Sequence, residues 1–192
     1  PQKKLIYIDF IKGQMGWRLK RTDHETLLKK ALGKKKDNLI ILDGTAGFLS
    51  DTLIFLALGH KVIACEQSSI LFMLLNDAIN RAREELIFLK NLDLVYGNAV
   101  DIYKNKRNID LIYLDPMYPD NKKNSARSGS MNDIKNILEI EMINNSEDQI
   151  FFDFKKQEFK KIVLKRPIKS KIIDTNLNYQ VKGKSTRFDI YI

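Results

Sequence analysis

Asp115-Pro116-Met117-Tyr118 places a carboxylate, a proline carbonyl and an aromatic ring within four residues. That set suits chemistry on an exocyclic amine of a planar ring. Such an amine is a poor nucleophile because its lone pair is spread into the ring. Two acceptors, the Asp115 side chain and the Pro116 carbonyl, can hold its two N–H bonds and localise the lone pair. The ring of Tyr118 can stack on an extruded base. The proline fixes the turn and leaves no competing donor. Alone, the string is also an ordinary turn after a strand, and its weight comes from what precedes it.

Upstream, Leu39-Ile40-Ile41-Leu42 reads as a strand buried on both faces, closed by Asp43-Gly44-Thr45-Ala46-Gly47. A helix is expected from about residue 49. This strand–turn–helix opens a nucleotide or nucleoside site at the carboxyl edge of a parallel sheet. Gly44 and Gly47 would permit φ > 0 and let a ligand approach bare backbone. The G-x-G-x-x-G fingerprint and the P-loop are both missing. An acid at the mouth of the turn repels phosphate and suits an ammonium group. S-adenosylmethionine, with an amino-acid tail, a sulfonium and no phosphate, fits better than NAD. A generic turn with tightly packed glycines fits the stretch equally well.

Two further strand ends are polar. Glu66 follows Asp43 by 23 positions, near the ~20 expected of an acid that grips ribose hydroxyls. Asn98, in Gly97-Asn98-Ala99, could read an adenine edge by its amide. Cys65 has no evident activating base and reads as a packing residue.

Alternating strands and helices must position these residues. Strands are expected at 5–10, 39–42, 61–64, 92–96, 110–114 and 161–165, and an antiparallel hairpin over 179–182 and 188–192. Helices are expected at 25–32, 49–58, from Ser68 or Ser69 to about 89, after 99, and at 133–142 and 147–156. Residues 12–22 and 117–130 read as loops. The alternation predicts an α/β fold with a mostly parallel sheet and a C-terminal antiparallel hairpin. Residues 1–38 form a basic lead-in of strand, loop and helix, read as the remnant of a longer N-terminal region. Residues 39–192 form the main domain.

The chain has 192 residues, one cysteine, two histidines and a net charge of +9. No apolar run is long enough to span a membrane. No signal peptide is visible. A single cysteine excludes an internal disulfide and agrees with the cytoplasm. A structural zinc site is not expected, nor any other metal. Residues 155–187 carry eleven Lys/Arg against two acids, and residues 1–36 carry eleven against three. The stretch between is acidic. Two basic ends around an acidic centre suggest a polyanion held around a site for something cationic.

The chain resembles the ribosomal RNA small-subunit methyltransferase J family. The resemblance rests on Asp9-Phe10 and Gly13, and on Asp43-x-Thr45-Ala46-Gly47 with Asp51. It continues through Leu114-Asp115-Pro116-Met117-Tyr118-Pro119, Ser125-Ala126, Lys165-Arg166-Pro167 and Lys182-Gly183, to Arg187-Phe188-Asp189-Ile190-Tyr191. It implies a class I, Rossmann-like fold that binds S-adenosylmethionine and makes N2-methylguanosine in 16S rRNA. The implied donor contacts are Ser50-Asp51, Glu66-Gln67, Asn98-Ala99 and Asp115, beside Asp43, Gly44 and Gly47. Asp115, Pro116 and Tyr118 would carry the chemistry. By their charge, and not by alignment to the family, whose loop differs in length and spacing, Lys122, Lys123 and Arg127 would face RNA. Lys165 and Arg166 would face it too, with the RNA naked or in the small subunit and the protein a monomer. Ser50, Gln67 and the Asn98-Ala99 pair depart from the family's residues. The motif alone also admits methylation of DNA adenine or of a protein glutamine. A non-catalytic RNA-binding assembly factor could keep the same fold.

Overall fold

The computed structural model describes residues 6–33, 38–106, 108–116, 129–143 and 148–192. Alternation along the buried strands sends successive side chains to opposite faces of one sheet. In β1 (Ile40–Asp43), Ile41 joins one core and Leu42 the other. In β4 (Leu111–Leu114), Leu111 and Tyr113 join the first core, while Ile112 and Leu114 join the second. In β5 (Ile162–Pro167), Val163 joins the first, and Ile162 and Leu164 the second. Strands buried on both faces need apolar residues at every position, which is why they read as continuous runs.

With β2 (Lys61–Glu66), β3 (Leu92–Tyr96), β6 (Tyr179–Lys182) and β7 (Thr186–Tyr191), the described residues form a seven-stranded sheet of order β3-β2-β1-β4-β5-β7-β6. β1 to β5 are parallel, and β7 and β6 are antiparallel. The sheet is thus mostly parallel with a C-terminal hairpin, as the sequence predicts. The strand order reverses between β1 and β4, so a crevice opens at their carboxyl ends.

The first face carries α1 (Gly13–Leu19), α2 (Thr26–Leu32), α3 (Ser50–Ala57) and α4 (Ser69–Ala82). Leu28, Ala31, Leu53, Leu56, Leu75 and Ile79 pack there. The second face is covered by α5 (Ala99–Asn105) and α7 (Gln149–Lys155), through Val100, Phe151 and Phe154. α6 (Gly129–Ile140) packs near α4.

Four expectations need correction. Residues 6–9 are not a strand. Ile8 and Phe10 instead plug into the first core, and the Asp9 carboxylate accepts from the Ile11 and Lys12 amides at 2.8 and 2.9 Å, turning the chain. Residues 12–22 are not a loop, because Gly13–Leu19 is helical. Gln14 lies exposed on it, and Gly16 is required, since a Cβ there would lie 1.8 Å from the Ile11 carbonyl oxygen. The helix expected from residue 25 starts at Thr26, behind a 3-10 turn, Thr22–His24. The long helix from Ser69 stops at Ala82, and a separate 3-10 turn, Ile87–Asn91, leads to β3.

Candidate active site

Register alone brings the key side chains together. Asp43 pairs with Tyr113 across β1 and β4, and Leu114 with Leu164 across β4 and β5. The next residues, Asp115 and Lys165, therefore emerge side by side at the carboxyl edge. The first turn is tied to the fourth strand end by two bonds. Gly44 N–H donates to the Tyr113 carbonyl at 3.0 Å, and Asp115 N–H donates to Thr45 Oγ1 at 2.7 Å. Gly97 N–H donates to the Glu66 carbonyl at 2.9 Å, which joins the second and third ends.

The glycine turn works by packing as well as by conformation. Gly47 has φ 50° and Leu49 has φ 59°. A leucine there is strained by about 1–3 kcal/mol and is held by its complete burial. Gly44 has no positive φ; a Cβ on it would lie 2.9 Å from Leu114 Cδ2, 3.2 Å from Phe154 Cε2 and 3.4 Å from Ala99 Cβ. Its role is close approach between β1 and its neighbours.

Asp43 is 2% exposed, and its carboxylate accepts from Thr45 N and Thr52 Oγ1. Burial pushes its pKa up to about 7. Glu66 is buried, accepts from the Ser68 amide at 2.8 Å, and is likewise pushed up to about 7 by burial. Neither acid is ion-paired among the described residues. Such acids are ionised most easily beside a cation or a hydroxyl donor.

Asp51 behaves oppositely. Its carboxylate accepts from Arg18 Nη2 at 2.7 Å, from Lys165 Nζ at 2.8 Å and from the Tyr113 hydroxyl at 2.5 Å. Burial would raise its pKa, but Lys165 and Arg18 outweigh burial and hold it at about 2. Arg18 also donates to the Ser50 carbonyl at 2.9 Å and pairs with Glu25. Lys165 Nζ lies 2.7 Å from Asp115 Oδ2. Asp115 is raised by desolvation, against which Lys165 acts.

The remaining expected residues fall as follows. Ser50 opens α3. Gln67 follows β2 directly. Ala99 is buried against Gly44. Asn98 is the N-cap of α5, its side-chain oxygen accepting from Val100 and Asp101; the expected adenine reader caps a helix with its carbonyl. Pro116 is buried. Lys165 and Arg166 do not face outward to RNA. Lys165 turns into the acid cluster. Arg166 is 6% exposed, pairs with Asp148 and bonds Ser170. Tyr118, Lys122, Lys123 and Arg127 lie outside the described residues. Sequence reasoning missed Arg18, Tyr113, Thr45 and Thr52 as site residues.

Among the described residues no group of His, Cys, Asp or Glu could hold a metal ion, and no helix is long and apolar enough to cross a membrane. Two unpaired, desolvated acids at adjacent strand ends fit a ligand that brings a cation and a diol, and they oppose phosphate. That donor set fits S-adenosylmethionine, and with the topology it defines a class I S-adenosylmethionine-dependent methyltransferase. The family model described as "Putative SAM-dependent methyltransferase" matches residues 1–192. Ribosomal RNA small subunit methyltransferase J of Desulfotalea psychrophila is 32% identical over 98% of this chain and 74% of its own length. The enzyme of the same name from Francisella tularensis subsp. novicida is 32% identical over 98% of this chain and 80% of its own. A crystal structure of a SAM-dependent methyltransferase from Neisseria gonorrhoeae superposes with TM-score 0.65 at 27% identity, covering 100% of this chain and 76% of that one. The chain belongs to the ribosomal RNA small subunit methyltransferase J family.

Proposed function

We propose that the protein transfers a methyl group from S-adenosylmethionine to the exocyclic N2 of a guanosine in small-subunit 16S rRNA. The observation that carries this reading is the position of Asp115. It closes β4 beside the crevice of Asp43 and Glu66, on a chain whose relatives are named for small-subunit rRNA methylation. When bound, S-adenosylmethionine would supply an electrophilic methyl: the amine lone pair would form the N–C bond, the C–S pair would stay on sulfur, and the surplus amine proton would pass to water. Asp115 and the Pro116 carbonyl hold the two amine N–H bonds. Tyr118 stacks on the guanine. Glu66 accepts from the donor's ribose hydroxyls. Asp43, with the turn at Gly44 and Gly47, faces the donor's cationic end. Most of the acceleration is positioning, which in oriented reactions reaches ~7–11 kcal/mol.

Lys122, Lys123 and Arg127 grip RNA phosphates. The protein acts as a cytoplasmic monomer, and residues 1–38 serve as its basic lead-in. The test is transfer of labelled methyl to 16S rRNA and to small subunits, followed by nucleoside analysis of the product. N2-methylguanosine is expected. Label in adenine, in protein, or in neither substrate would overturn the reading.

A further inference from the structure

Lys165 lies between two carboxylates, 2.8 Å from Asp51 Oδ2 and 2.7 Å from Asp115 Oδ2. Asp51 is in turn held by Arg18 of α1 at 2.7 Å and by the Tyr113 hydroxyl of β4 at 2.5 Å. The alternation of charge runs Arg18, Asp51, Lys165, Asp115, from the N-terminal helix to the end of the fourth strand. Asp51 is 8% exposed, Lys165 27% and Asp115 36% by side chain, so the Asp51 end of the link is weakly screened by water while Asp115 opens to the crevice. We propose that Lys165 is the positioning residue of Asp115: anchored on Asp51, its ammonium fixes the direction of the Asp115 carboxylate and keeps it ionised. This rests on Asp115 as the amine acceptor.

A carboxylate is a stronger acceptor for an amine N–H than a carboxylic acid, and it has no O–H to donate in its place. Asp115 faces Asp51 of α3 and Asp43 of β1, and both oppose its ionisation. It also faces the Tyr113 hydroxyl of β4, Arg18 of α1 and Lys165 of β5. Among these, Lys165 is the cation in direct contact. The ammonium occupies one Asp115 oxygen and leaves the other for the substrate. It is held in place because Asp51, with Arg18 fixed on its other oxygen, does not follow it. Lys165 needs no contact with donor or RNA to act this way.

The experiment pairs a titration with a double-mutant cycle on the full chain. Carboxyl ¹³C NMR should show the Asp115 midpoint moving up by about 1–3 pH units in Lys165→Met. Lys165→Arg should keep it near the parent value. Single-turnover methylation should slow in Lys165→Met, with the acid limb of its pH profile moving in the same direction. Donor affinity by calorimetry should hold close to that of the parent. Lys165→Met should add little to Asp115→Asn, because coupled sites are non-additive. Should Lys165→Met not fold, Lys165→Gln, neutral yet able to donate to the carboxylates, carries the same measurements. An unmoved midpoint, or equal slowing in both Asp115 backgrounds, overturns this proposal and leaves the proposed function standing. An Asp115→Asn variant that methylates at the parent rate overturns both.

Discussion

The Asp115 amide donates to Thr45 Oγ1 at 2.7 Å across 70 positions of sequence. The side chain of the first turn thereby fixes the backbone of the fourth strand end. Turn and acid cannot shift independently, so a donor held by the turn would be registered against an amine held by Asp115.

Asp115→Ala should slow methyl transfer by ~10²–10³, by analogy with loss of one preorganised polar group. Asp115→Asn should keep part of the rate, since its amide oxygen still accepts one N–H. Folding and donor affinity should be little changed, because the backbone bond to Thr45 survives both changes. Single-turnover kinetics beside thermal melting and donor titration checks this.

Donor binding should release protons below neutral pH. Burial lifts Asp43 and Glu66 to about 7. A cation and hydroxyl donors favour their ionised forms, so binding lowers both values. Affinity should therefore rise with pH and level off above about 7. The sign for the free protein is the reverse. Each acid is raised above its unfolded value, so its stabilising contribution is present at low pH and lost as pH rises through about 7. Calorimetry at about pH 6 in buffers of different ionisation heat measures the proton count. Identical apparent heats in those buffers would contradict the assignment.

RNA affinity should fall with salt, by roughly 0.7 in log–log slope for each phosphate contact on single-stranded RNA. Neutralising Lys122, Lys123 and Arg127 should flatten that slope and spare donor binding. Arg166→Ala should leave the slope alone and lower the melting temperature instead, because Arg166 is buried against Asp148. Filter binding over a salt series separates the two classes.

Gly44→Ala should destabilise the fold by about 1–3 kcal/mol, the usual cost of overpacking. The added methyl meets Leu114 and Phe154. Gly13→Ala is the spatial contrast, since no atom lies within 4 Å of its Cβ position and only its φ of +63° resists. Denaturant unfolding of the two variants distinguishes crowding from backbone strain.

The parallel strands were legible because burial on both faces leaves an unbroken apolar run, as in Leu111–Leu114. The acids at their ends were legible because each closes such a run. What escaped depended on distance. Arg18 looked like part of a basic loop; its partner Asp51 lies 33 positions away. Lys165 read as an RNA contact, since charge alone does not tell a lysine facing phosphate from one facing carboxylates. Register told them apart: Leu114 opposite Leu164 sets Asp115 beside Lys165. Asn98 has the right type for a base reader, yet asparagine is also a preferred helix cap, and helix α5 begins one residue later.

The bridge from Lys165 to Asp51 spans 114 positions of sequence. At ~5–20 residues per second of synthesis, roughly ten seconds separate the two residues as they are made. During that interval the nascent chain carries Asp51, and later Asp115, without the lysine that bridges them. The acid cluster is completed only when β5 is added and paired, so the site cannot be whole before the last third of the chain is made.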